Sequence, residues 1–125
     1  KVISGGEMSR FLLAIKSSIS KKPNTFFLDE IDSGLSGKSL FSLVKLIKEI
    51  SKNQQVLCIT HQPFLAAGGV THFKVNKNVI NGKTYTSISK LTTKNQRKYE
   101  LIELIGGGSA EANDYASRLI EQAAA

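Results

Sequence analysis

Phe26-Phe27-Leu28-Asp29-Glu30 and Val56-Leu57-Cys58-Ile59-Thr60-His61 are two short apolar runs, each stopped by polar residues, with a helix-length segment between them. Their unbroken apolar character predicts buried strands, the first ending in Asp29-Glu30 and the second halted by His61-Gln62-Pro63. Between them, after Ser36, the residues Leu40, Leu43, Val44, Ile47 and Ile50 recur at helical spacing, which predicts a helix with one apolar face. Strand, helix, strand over so short a stretch is a βαβ unit, with parallel strands and a right-handed crossover.

Working outward, Ser4-Gly5-Gly6-Glu7 opens a stretch with Met8, Phe11, Leu12, Ile15 and Ile19 at helical spacing, ending near Lys21-Lys22-Pro23. Beyond Gly68-Gly69, the segments His72 to Ile80 and Lys83 to Leu91 flank Asn81-Gly82, a strong hairpin signal. Tyr99, Ile102, Leu104 and Ile105 predict a helix ended by Gly106-Gly107-Gly108, and Ala110 to Ala123 a final helix. The expected class is α/β: a parallel βαβ core followed by an antiparallel hairpin and C-terminal helices. The elements are continuous enough to share one core.

The 125 residues, 41% hydrophobic and 22% charged, suit one globular domain and argue against disorder. The net charge of +7 favours polyanionic partners. Cys58 is the single cysteine, so no internal disulfide forms and a reducing compartment is expected. No apolar run reaches membrane-spanning length and no charged-then-apolar leader is present, so a soluble, intracellular protein without a membrane partner is expected. The first residue is Lys1, and recognisable signals begin almost at once, which suggests a piece of a longer chain.

In open parallel sheets, ligands collect at the carboxyl ends of the strands. Asp29-Glu30 occupies one such end and His61 the next. Paired acids there suit nucleotide hydrolysis, one carboxylate holding hydrated Mg²⁺ and the next orienting or deprotonating the attacking water. A neighbouring histidine can contact the terminal phosphate. Equally, Asp29 and Glu30 can simply end a strand and cap the following turn. Ser4-Gly5-Gly6-Glu7 also has two roles open to it: the Ser-x-x-Glu capping box, and a glycine-lined helix start whose backbone N–H groups approach a phosphate. Gly37-Lys38-Ser39 mimics the end of a phosphate loop, but the position five before Gly37, where that loop needs glycine, is Asp32. The chain thus carries hydrolytic acids without a nucleotide cradle of its own.

Cys58, mid-strand among apolar neighbours, reads as a small buried side chain rather than a nucleophile. His72 reads as a strand residue, having no second histidine or cysteine at metal-ligand spacing. From Ile50 through Tyr99 there is no acid, whereas Lys52, Lys74, Lys77, Lys83, Lys90, Lys94, Arg97 and Lys98 all fall there, next to Phe73 and Tyr85. Such a ribbon can lie along a phosphate backbone, or can be a solvated lysine-rich surface.

In order and spacing, these motifs resemble the ATP-binding-cassette ATPases. Ile3-Ser4-Gly5-Gly6-Glu7 resembles the signature motif, Phe26-Phe27-Leu28-Asp29-Glu30 resembles Walker B, Ile31-Asp32-Ser33-Gly34-Leu35-Ser36 occupies the D-loop, and Ile59-Thr60-His61 matches the switch-histidine loop. Within that superfamily the likeness is closest to the RecN family, relatives of the structural-maintenance-of-chromosomes proteins. It rests on Ser4-Gly5-Gly6-Glu7-Met8-Ser9-Arg10, on Asp29-Glu30-Ile31-Asp32-Ser33-Gly34-Leu35-Ser36-Gly37, and on Thr60-His61-Gln62-Pro63 followed by Ala66-Ala67. Transporter cassettes usually have Gln in place of Glu7, Pro in place of Ile31 and Asp in place of Ser36. The likeness covers essentially the whole chain, taken as the C-terminal lobe of an ATPase head, residues 1–125.

The resemblance implies ATP binding and hydrolysis that drive head-to-head engagement, DNA holding and repair of double-strand breaks by recombination, in a cytoplasmic, nucleoid-associated homodimer. It implies that Asp29 supports Mg²⁺, Glu30 activates water, His61 contacts the γ-phosphate and Asp32 helps the two sites communicate. Ser4, Gly5, Gly6 and Glu7 would reach the ATP bound to the opposing subunit. The phosphate loop and coiled coil would lie in a missing N-terminal lobe, so this chain alone would not turn over ATP. The alternatives are a non-enzymatic basic DNA-binding module, or the head of another cassette ATPase acting in chromosome condensation or transport.

Overall fold

The computed structural model describes residues 25–124. The helix expected after Ser4-Gly5-Gly6-Glu7 lies outside the described residues. The chain divides into two compact units, one ending at Leu65 and the other starting at Ala66, in place of the single shared core expected. Two separate two-stranded sheets form among the described residues.

In the first unit, β1 (Thr25–Asp29) and β2 (Gln55–Ile59) pair in parallel, in register from Thr25 opposite Gln55 to Asp29 opposite Ile59. Helix α1 (Gly37–Ser51) makes the crossover, as its apolar spacing predicts, and buries Leu40, Leu43, Val44 and Ile50. These four meet Leu28, Ile31 and Leu65 in one cluster, with Phe26, Val56 and Cys58 packed against it. Full burial of each large aliphatic side chain contributes about 1.5–3 kcal/mol, so α1 is held mainly by this face. Gly37-Lys38-Ser39, the phosphate-loop mimic, forms the first turn of α1.

The strands are not buried on both faces, contrary to expectation. Their side chains alternate, and while Leu28 points into the core, Phe27 is 76% and Ile59 63% exposed. A two-stranded sheet covered by α1 shields one face, and an apolar run cannot by itself reveal that. A short helix that the sequence reading did not anticipate, α2 (Pro63–Ala67), follows β2, with Pro63 at its first position where proline's missing N–H is harmless. Its Phe64 ring lies 6.0 Å from that of Phe41, and Lys45 sits 4.8 Å above the Phe41 ring.

In the second unit, β3 (His72–Ile80) and β4 (Lys83–Leu91) form the expected hairpin at the expected residues. Asn81 (φ 51°) and Gly82 (φ 73°) both adopt the left-handed region, the requirement of a type I′ turn. Helix α3 (Lys94–Ile105) begins with a capping box: the Gln96 N–H donates to Thr93 Oγ1 and the Thr93 N–H donates to Gln96 Oε1, both at 3.1 Å. It ends at Gly106 (φ 105°), where the Gly106 and Gly107 N–H groups donate to the Glu103 and Ile102 carbonyls. Helix α4 (Ala110–Ala124) follows, with Ser109 Oγ accepting from the Ala112 N–H. Leu101 and Ile102 of α3 and Ala112, Ala116 and Leu119 of α4 are buried, whereas Tyr99, expected on the apolar face, is exposed. No helix among the described residues is long and apolar enough to cross a membrane.

Candidate functional site

Parallel pairing places the loops after β1 and β2 side by side. The Glu30 N–H donates to the Ile59 carbonyl at 3.0 Å, extending the ladder one residue beyond β1 to the last residue of β2. Asp29, Glu30 and His61 are therefore gathered at adjacent strand ends, and all three are exposed. Glu30 takes a left-handed backbone conformation at φ 45°, uncommon for a residue with a side chain. Such strain persists only where neighbouring structure imposes it; here the ladder bond on its N–H and the Ser33 N–H donating to its carbonyl do so.

Asp32 behaves differently from its neighbours. Its carboxyl group is fully buried, Oδ2 accepts the Thr60 hydroxyl, and Oδ1 has no hydrogen-bond partner among the described residues. Asp32, expected to help two sites communicate, is thus enclosed and held by the Thr60 hydroxyl. Thr60 Oγ1 also accepts from the Gln62 N–H at 2.9 Å. Nothing in the apolar pattern singles out Thr60, because its partner lies 28 residues away.

Cys58 packs behind the strand ends. Burial, then the negative charges of Asp32 and Asp29, push its thiol up to about 11, so it stays protonated and inert near neutrality. Among the described residues no group of three or more His, Cys, Asp or Glu side chains is placed to hold a metal ion. Mg²⁺ does not require such a cage, since it keeps most of its waters and takes one or two carboxylates plus phosphate oxygens. Exposed Asp29 at a strand end fits that requirement.

The expected basic ribbon is only partly free for a partner. Lys52 pairs with Glu49 at 2.5 Å, Lys74 pairs with Glu100, and Arg97 Nη2 donates to the Ala67 and Gly69 carbonyls at 2.9 and 2.7 Å. Lys77, Lys83 and Lys90 on the hairpin are exposed, together with Phe73 and Tyr85. His72 is a strand residue, half-buried, and burial and Arg97 depress its basicity against an opposing pull from Glu100.

Residues 7–67 match the family model described as AAA domain, putative AbiEii toxin, Type IV TA system. The chain is 41% identical to the DNA repair protein RecN of Synechocystis, over 98% of this chain and 24% of that protein. With RecN of Bacillus subtilis the identity is 38% over 98% of this chain and 22% of the relative. With RecN of Aquifex aeolicus it is 36% over 97% and 23%. By sequence, nearly the whole chain matches one segment of RecN proteins. It spans about a quarter of the length of these RecN relatives. The AAA match takes in both strand ends, and the RecN likeness runs on through the hairpin and the last two helices. Ser4, Gly5 and Gly6 precede the AAA match, Glu7 begins it, and all four lie outside the described residues.

Proposed function

We propose that this chain is the C-terminal lobe, residues 1–125, of an SMC-like ATPase head that acts in DNA double-strand break repair and recombination. The observation that carries this is the meeting of Asp29-Glu30 with His61 at the ends of paired parallel strands, with Glu30 in a strained backbone conformation. The RecN relatives and the AAA match support it.

In this proposal Glu30 accepts a proton from the attacking water, or orients it, and His61 contacts the γ-phosphate. Asp29 holds Mg²⁺ through water; the ion, when bound, neutralises charge on the phosphate oxygens. Ser4, Gly5, Gly6 and Glu7 reach ATP on an opposing subunit, so the heads form a homodimer with nucleotide between them. The phosphate cradle and the coiled coil belong to the remainder of a full-length protein, and the protein works in the cytoplasm at the nucleoid. Head engagement then holds the DNA.

In the full-length protein, Glu30→Gln is expected to retain ATP binding, lower turnover by about 10²–10⁴-fold and trap the paired heads. Wild-type turnover in that variant would refute the assignment. A second proposal, a DNA-binding module whose acids are structural, draws on the exposed Lys77, Lys83 and Lys90.

A further inference from the structure

We infer that Thr60 and Asp32 form an internal latch that sets Glu30 against His61, making Thr60 a positioning residue. The inference rests on the roles proposed above for Glu30 and His61. Asp32 sits two residues beyond Glu30, in a turn closed by the Ser33 N–H donating to the Glu30 carbonyl and the Leu35 N–H donating to the Asp32 carbonyl, both at 3.0 Å. Thr60 sits immediately before His61. Its hydroxyl has one proton, and that proton goes to Asp32 Oδ2. The hydroxyl oxygen is then left to accept from the Gln62 N–H, on the other side of His61. A single side chain thus brackets His61 from both sides and ties it to the turn that carries Glu30.

The alternative tie between the two loops is the backbone bond from the Glu30 N–H to the Ile59 carbonyl. One bond permits rotation about itself; two, at Glu30–Ile59 and Asp32–Thr60, brace the loops against each other. Asp32 is fully enclosed, so water does not compete for the Thr60 hydroxyl, and a bond to a carboxylate is stronger than one between neutral groups. Among the described residues Asp32 Oδ1 has no second partner, and the Thr60 hydroxyl is the group there that orients this carboxyl.

The test uses the full-length protein. Thr60→Val removes both hydrogen bonds at nearly constant volume, and Thr60→Ser keeps them. Misplacing reacting groups by about 1 Å costs on the order of 10²-fold, so Thr60→Val is expected to lower kcat for ATP about 10–100-fold. KM should stay within about twofold, because the latch orients groups that act on bound substrate. Thr60→Ser should recover wild-type kcat, a rescue that general loss of stability would not give. If Thr60→Val does not fold, Asp32→Asn decides, with lowered kcat at unchanged KM expected. Wild-type kcat in the folded latch variant, while Glu30→Gln is inactive, overturns the latch alone. Turnover that survives Glu30→Gln overturns the underlying assignment and the latch with it.

Discussion

Glu30 is placed where function and stability pull apart. Its left-handed backbone costs about 1–2 kcal/mol relative to an ordinary conformation. Glycine adopts that region freely and loses about 0.5–1 kcal/mol through greater freedom of the unfolded chain. Glu30→Gly should therefore raise stability in a urea titration by up to about 1 kcal/mol while ATP turnover disappears; a clear loss of stability would show that the strain is not real. His72 gives a pH dependence. Its imidazole loses basicity on folding, through burial first and Arg97 second, with Glu100 opposing and Lys74 paired to that same Glu100. Below its ordinary value of 6.5 the unfolded chain takes up a proton that the folded chain resists, so stability falls as pH drops through 6.5. Urea midpoints at pH 7.5 and 5.5 should differ in wild type and converge in His72→Gln. Neither Glu30's backbone nor Asp32's enclosure is legible in the sequence, where both appear as members of an acidic run. Their difference arises from which of them the ladder and the turn point inward.

Helices and strands were far more legible than side-chain roles, and for a physical reason. The hairpin is fixed by Asn81-Gly82, two residues that tolerate positive φ, so its limits follow from local chemistry alone. Helix α1 follows from spacing that suits a single apolar face. By contrast, α3 starts at a Thr93–Gln96 capping box that carries no apolar signal, and the short α2 has too few residues for periodicity. The hairpin also offers the most direct test of DNA contact. Phe73, Val75, Val79 and Ile88 share one face by the register, with Lys77 and Lys90 among them, while Lys83 stands beside the turn. If this ribbon follows a phosphate backbone, replacing Lys77, Lys83 and Lys90 by alanine should lower the slope of log affinity against log salt by about 2–3. Duplex binding with an unchanged slope would assign the ribbon to a solvated surface.

The +7 charge and the two compact units divide the chain's properties unevenly. The acidic strand ends and His61 belong to the first unit, and the lysine-bearing hairpin to the second. The parallel pairing of β1 with β2 has a further consequence for how such a chain can change length. Glu30 and His61 are neighbours because of ladder register, not because of the 30 residues that join them. Residues added at the turn between α1 and β2, around Asn53, lengthen a surface connection at little entropic cost and leave the strand ends matched. One residue added inside β2 reverses every side chain beyond it, carrying Cys58 outward and Ile59 inward, and shifts His61 along the sheet edge. Insertions and deletions are therefore tolerable in the crossover and intolerable in five-residue strands, so the site is insulated from most of the sequence drift around it.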